Sequence, residues 1–307
     1  MFKDSFKYYK SRSQIVDFSQ VLDLNKDTPN LKKIDIKSET YFGFHPTHTW
    51  EVFEVVARPG LIIIKNPFTN VGQRYWAVRC LQDYSKRPYK RNIDSVKSTA
   101  DIDDWWQVCN VTGDVELLKK LRWSTLGYHH NWDTKYYSEE HKTEFPEDLQ
   151  NVTKFLSSVL NFGNYSAEAA IINYYHMDST LSGHTDHSEP NLNAPLFSFS
   201  FGQTAVFLIG GKLKEDSAIS MFLRSGDILV MSGDSRLCYH GVPRIINADS
   251  RPWESIMHIK DDMPKGYEHI LKICKDEKLW TCFGDYLTHS RINMNVRQVL
   301  NKDQESL

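Results

Sequence analysis

The sequence predicts an α+β fold: a double-stranded β-helix, or jelly-roll, core with N-terminal helices packed against it. Two observations carry the expectation. After Ala167, short strand-like runs follow one another, punctuated by Gly/Asp turns such as Gly210-Gly211, Ser225-Gly226-Asp227 and Gly233-Asp234. Before it, longer stretches have helical spacing. A third feature closes the chain: from Arg291 to Arg297, polar and apolar residues alternate strictly, the period of a strand with two unlike faces.

Taken in order, residues 1–58 read as an N-terminal helical extension, with a helix-compatible stretch at 13–24 and a polar middle at 25–37. Residues 59–307 read as the main domain. Leu61, Ile62, Ile63 and Ile64 follow Pro59-Gly60 as a strand. Asn66-Pro67 then turns the chain into a helix over 73–84. A partly helical stretch is expected over 101–122, and a further helix over 146–160 with Phe155, Leu156, Val159 and Leu160 on one side. Strands are expected at 170–175, 205–209, 219–223, 228–231 and 242–246. The alternation of 196–201 is that of a half-buried strand.

Composition excludes little and directs much. Of the 307 residues, 40% are hydrophobic and 25% charged, as in ordinary globular proteins. No apolar run is long enough to cross a bilayer, and the first ten residues do not read as a secretory signal. The five cysteines include no Cys-x-x-Cys pair, which argues against a zinc ribbon or disulfide framework and for a reducing, intracellular setting. A net charge of −2 gives no overall pull toward nucleic acid, so such a partner needs a local basic face. Lys86-Arg87, Lys90-Arg91 and Lys119-Lys120 with Arg122 are candidates, although such runs are commonly just solvated surface.

Three groups of residues carry chemistry. His184-x-Asp186 places two ligands on the same side of an extended segment, and His240, beyond several strands, can complete a facial triad with open positions for iron(II). With 12 histidines in the chain a lone His-x-Asp is weak, and a surface loop explains it as well. Arg291, Asn293, Asn295 and Arg297 share one strand face. Enclosed, their guanidiniums call for an anion such as a small dicarboxylate; solvated, they explain the alternation equally. Asn173 and Tyr175, just before the metal pair, can donate to carboxylate oxygens or simply belong to a strand.

Together, Asn173-Tyr174-Tyr175, His184-x-Asp186, His240 and Arg291 through Arg297 resemble, in that order, the AlkB family of Fe(II)/2-oxoglutarate-dependent nucleic-acid dioxygenases. The likeness is strongest to its animal AlkB homologue-one branch, on segments 121–128, 131–133, 196–202, 231–233 and 296–299. It runs from about residue 59 to the C-terminus and more faintly before it.

The resemblance implies an oxidative demethylase of nucleobases that consumes O2 and 2-oxoglutarate and releases formaldehyde. N1-methyladenine in tRNA and N6-methyladenine in DNA are the favoured substrates, with 5-methylcytosine in RNA a third type. His184, Asp186 and His240 would bind iron. Arg291 would pair with the distal carboxylate of 2-oxoglutarate, Arg297 would sit near the chelating one, and Asn173, Tyr175 and Asn293 would belong to the same pocket. Residues of about 120–150 match the family's nucleotide-recognition region, where Tyr128, His130, Asn131, Trp132 and Tyr137 would meet a flipped or unpaired base, core or lid packing explaining the aromatics equally.

Two departures bear on this. Asn295 stands where the family often has Thr. Ser188 stands where repair-type members have an acid that helps read the base, which implies a different base recognition. The implied enzyme is a monomer without a membrane partner, in nucleus, cytoplasm and/or mitochondrion. Competing readings keep the cofactor site but act on protein or histones, use the triad with zinc in a hydrolase, or retain the fold as a non-catalytic nucleic-acid-binding scaffold. The hydrolase leaves Arg291, Arg297 and Asn173 without a task, and a scaffold has no need of an intact ligand set.

Overall fold

Strands from both halves of the chain form two facing antiparallel sheets in the computed structural model, which describes residues 1–255 and 266–307. The helices are α1 (Phe2–Lys10), α2 (Asn70–Val78), α3 (Trp105–Thr112), α4 (Val115–Lys120), α5 (Glu147–Val159), α6 (Glu268–Lys275) and α7 (Glu277–His289). The strands in the first part of the chain are β1 (Leu31–Lys33), β2 (Glu51–Val55), β3 (Leu61–Lys65), β4 (Lys90–Arg91), β5 (Trp123–Gly127), β6 (Ala169–His176) and β7 (Leu181–His184). They continue with β8 (Leu196–Gly202), β9 (Thr204–Ile209), β10 (Ile219–Leu223), β11 (Ile228–Met231), β12 (His240–Ile246) and β13 (Ser290–Arg297). The major sheet runs β1-β2-β3-β11-β8-β13-β6-β5-β4 and the minor sheet β10-β9-β12-β7.

Strand alternation sorts side chains into two cores. Ile172, Tyr174, Phe197, Phe199, Phe201, Ile292, Met294 and Val296 face the helices α2, α3, α5, α6 and α7, joining Trp76, Trp105, Leu149, Leu156, Ile270 and Phe283. The opposite faces of the same strands look toward the minor sheet. There Leu61, Ile63, Leu196, Leu229 and Met231 meet Phe207, Ile209, Met221 and Val242. Fully burying side chains of this size stabilises the fold by roughly 1.5–3 kcal/mol each.

Three differences from the sequence expectations have physical causes. The stretch 13–24 is not helical; the helix of this region is α1, and it ends at Ser11. Asp17 accepts hydrogen bonds from the backbone N–H and hydroxyl of Ser19, a local turn that competes with helix. Leu22 then bridges to Met221 beside the minor sheet. Strand β2 pairs with β3 through Val52 and Ile64, so residues 51–55 are part of the major sheet. Strand β8 is buried along its whole length instead of on one face. Its small residues, Ser198 and Ser200, turn into the space between the sheets and bond Asn293 and Arg291 there.

Candidate active site

The minor sheet supplies two residues of a candidate metal site. β7 ends at His184, which pairs directly across the strands with His240 at the start of β12. Each ring is oriented by its own backbone: His184 Nδ1 lies 2.9 Å from Ser182 O and His240 Nδ1 3.0 Å from Cys238 O. Both Nε2 atoms therefore face Asp186, at 3.8 Å for His184 and 3.7 Å for His240. One ligand atom from each of the three residues lies within 4.8 Å of the others.

The donor set fits a borderline divalent metal. Burial, and then the neighbouring His184, hold His240 down to about 4, so its imidazole is neutral and able to ligate. Burial alone would raise the Asp186 carboxyl, but Arg297, His240 and His184 outweigh it and keep the group ionised. Asp186 Oδ1 pairs with Arg297 Nη2 at 3.0 Å, whereas buried Oδ2 has no hydrogen-bond partner. A buried carboxylate with an unbonded oxygen, set beside two imidazole nitrogens, is a donor set that suits a cation.

Two cavities meet at this point. The inner one lies between the sheets and is lined by Tyr175, Ser198, His240, Arg291, Asn293 and Asn295. Arg291 is 1% exposed and donates to Ser200 Oγ at 2.8 Å and, more weakly, to the carbonyls of Leu223 and Gln203 at 3.2 and 3.3 Å. Its Nε has no partner, and burial pushes the guanidinium down to about 10. Asn293 Nδ2 is held by Ser198 Oγ and Phe199 O. Burial pushes the Tyr175 hydroxyl up to about 12, so it is a neutral donor.

The outer cavity is an open cleft of about 670 Å³. Asn173, His184, Asp186, Asn295 and Arg297 line it, with His130, Trp132, Lys135 and Tyr137 among its other walls. Asn295 and Leu181 line both cavities. His130 sits edge-on to Trp132 at 4.7 Å and to Tyr137 at 5.3 Å, and Trp132, 41% exposed, also meets Trp123 at 5.3 Å. Burial, with Arg297 nearby, holds His130 down to about 4, leaving an uncharged ring whose Nδ1 has no partner.

Tyr128 and Asn131 do not line this cleft. Tyr128 packs with Val299 and Leu300 and bonds Glu139 and Lys142, while Asn131 Oδ1 accepts the backbone N–H groups of Asp133 and Thr134. Among the basic runs, Arg91 is buried on Asp94. Lys86, Arg87 and Lys119 are tied to Asp83, Asp103 and Glu116. Lys135, outside those runs, lines the cleft together with Arg297.

The sequence reading missed a buried ionic group beside the metal site. Glu189, 4% exposed, accepts from Arg236 Nη2 at 3.0 Å and Tyr137 Oη at 3.0 Å, and pairs with Arg297 Nε at 3.2 Å. Arg236 also donates to Asp186 O at 2.7 Å. Two carboxylates and two guanidiniums thus balance each other, so Arg297 already has protein anions. Of the two β13 arginines, Arg291 is the one with no carboxylate within ion-pair distance among the described residues. No spacing rule links positions 189, 236 and 297; only the burial of a Glu and an Arg among strands hints at pairing.

Comparison with known proteins agrees with this geometry. Residues 60–297 match the family model of the 2OG-Fe(II) oxygenase superfamily. The nucleic acid dioxygenase ALKBH1 of Homo sapiens is 35% identical, covering 99% of this chain and 85% of the human protein. The tRNA demethylase abh1 of Schizosaccharomyces pombe is 31% identical (97% of this chain, 95% of its own). The DNA N(6)-methyladenine demethylase ALKBH1A of Arabidopsis thaliana is 27% identical (96% and 90%). The solved structure of OsALKBH1 shares the fold, with a TM-score of 0.50 and 21% identity over 78% of this chain and 97% of that one.

Proposed function

The chain belongs to the 2OG-Fe(II) oxygenase superfamily and, within its AlkB family, to the ALKBH1 branch, and on that premise we propose that it demethylates N-methyladenine in tRNA and in unpaired DNA, releasing formaldehyde. The observation that carries the reading is the joined pair of cavities. A narrow inner pocket of about 20 Å³ holds an arginine with no carboxylate partner among the described residues, an outer cleft has aromatic walls, and the metal-type triad stands where they meet.

The residues divide the work. His184, Asp186 and His240 hold iron(II), and Arg297 keeps Asp186 ionised, with Oδ1 toward His184 and Oδ2 toward His240. Arg291 takes the distal carboxylate of 2-oxoglutarate, Tyr175 and Asn293 line its pocket, and Asn173 stands on the adjoining cleft. Iron(II) with 2-oxoglutarate supplies O2-dependent oxidation of a C–H bond. One oxygen atom ends in succinate, formed with CO2, and the other in an N-hydroxymethyl group that breaks down to formaldehyde and the free base.

His130, Trp132 and Tyr137 present the surfaces on which an extracted base stacks, and Lys135 offers a cation to the adjoining phosphate. An edge-walled cleft of this kind favours bases already out of a duplex, where the unstacking cost is least. No helix among the described residues is long and apolar enough to cross a membrane. The reading carries with it a monomer working where tRNA and DNA occur: nucleus, cytoplasm or mitochondrion.

The test compares formaldehyde release from N1-methyladenine in a tRNA stem–loop, N6-methyladenine in bulged DNA and the same base in full duplex. Release from the first two well above the third is expected. Succinate formed without formaldehyde on any of them would move the search to C-methyl groups or to protein substrates.

A further inference from the structure

The residues before β1 cross the outer face of the minor sheet as a strap. Phe2, Tyr9, Val16 and Val21 bury there against Val206 and Leu208. Tyr9 bonds Ser220 at 2.9 Å, Arg12 donates to Met177 O at 2.7 Å, and Leu22 bridges to Met221 on β10. α1 lies over β12, β9 and β7, and the residues after it reach β10. Its first turn does something more specific.

Phe2 is 3% exposed, and its backbone N–H is fixed by Asp216 O at 3.0 Å. Its ring stands edge-on to Tyr239, with centroids 5.4 Å apart and an interplanar angle of 80°. It also fills the space a side chain at Gly183 would need: a Cβ there would lie 2.5 Å from Phe2 Cε1 and 2.9 Å from Tyr239 Cε1. Gly183 directly precedes His184, and Tyr239 directly precedes His240. One ring is therefore wedged against the residues before both metal histidines, from the side of the sheet facing away from the inter-sheet pocket.

β7 is poorly held by other means. It has four residues, lies at the sheet edge, and its pairing with β12 slips in register between His240 and Val242. The His184 side chain is 36% exposed, against 8% for His240, so fewer contacts fix it. We propose that Phe2 is a positioning residue for the metal centre, setting the spacing of β7 against β12 and so of His184 Nε2 against His240 Nε2. Close-packed interiors transmit such a displacement instead of absorbing it. The inference rests on reading His184, Asp186 and His240 as the metal site.

The test is an anaerobic Co(II) titration of the full chain, followed by calorimetry and the d–d absorption band, with Fe(II) as a second metal. Phe2→Ala is expected to weaken Co(II) binding by roughly ten-fold or more, as loss of an outer-sphere support does, and to alter the band. Val21→Ala, in the same apolar cluster but beside ligand-free β10, is expected to bind as the parent does. Gly183→Ala, whose methyl meets Phe2, is expected to lose affinity and regain part of it when combined with Phe2→Val. Parent affinity in Phe2→Ala, or an equal loss in Val21→Ala, overturns the proposal. Should Phe2→Ala not fold, flat affinity across Phe2→Leu and Phe2→Val overturns it. A parent chain that binds no Co(II), like His240→Ala, would sink the metal-site reading itself.

Discussion

Replacing Arg291 with Met separates co-substrate binding from folding. The guanidinium is 1% exposed with neutral partners only, and holding it down at about 10 costs roughly 3 kcal/mol. Met removes that cost but leaves Ser200 Oγ and the carbonyls of Gln203 and Leu223 without their donor, a loss of about 1–3 kcal/mol. The two nearly cancel, so the unliganded variant should unfold within about 2 kcal/mol of the parent. Binding is different. Removing one partner of a buried guanidinium–carboxylate pair costs about 3–5 kcal/mol. At about 1.4 kcal/mol per ten-fold, the Kd for 2-oxoglutarate should rise by roughly 10²- to 10³-fold or more. Calorimetry of 2-oxoglutarate binding to the Mn(II)-loaded protein measures this, and denaturant unfolding of the unliganded protein checks the fold. Parent-like 2-oxoglutarate affinity in Arg291→Met would refute the reasoning. So would equal losses of co-substrate and RNA binding.

Other outcomes follow from the same geometry. Glu189→Gln leaves Arg236 and Arg297 short of an anion and should lower unfolding free energy by about 3 kcal/mol or more; a change under about 1 kcal/mol in denaturant melts would remove the ionic group from the account. Asp227 accepts from the backbone N–H groups of Asn66 and Arg224, and burial raises its carboxyl from 3.8 to about 6. Because the folded pKa lies above the unfolded one, its contribution is full below about pH 4 and is lost as pH rises through 6. The stability advantage of the parent over Asp227→Asn should therefore fall by roughly 3 kcal/mol between pH 4 and pH 7, and parallel pH curves would contradict this. Trp132→Ala should weaken binding of single-stranded nucleic acid by about 1–3 kcal/mol, with unchanged 2-oxoglutarate affinity by calorimetry. Unaltered nucleic-acid affinity would take Trp132 out of the interface.

What was legible in the sequence is what depends on period and chemistry. The alternation from Arg291 to Arg297 does sort into an apolar face toward the helices and a polar face toward the minor sheet, because β13 is central and both faces are enclosed. His184, Asp186 and His240 converge because His184 and His240 are cross-strand partners. The N-terminal strap was not legible: α1 is short, and its burial depends on a sheet more than 200 residues away, as the Tyr9–Ser220 bond shows (|i−j| = 211). The pairing of Glu189 with Arg236 and Arg297 is likewise a product of register. α6 and α7 do carry helical spacing, through Ile270, Leu271 and Cys274 and then Trp280, Phe283 and Leu287, with Asp276 capping α7. The strand-rich segments before them mask that signal.

The most direct measurement of the central claim is the stoichiometry of succinate and formaldehyde, with Fe(II), O2 and N-methyladenine-bearing tRNA or bulged DNA. The account predicts one formaldehyde per succinate in the parent and neither product in Asp186→Ala. Persistent 2-oxoglutarate turnover in Asp186→Ala, or no succinate from the parent on any substrate, would contradict it.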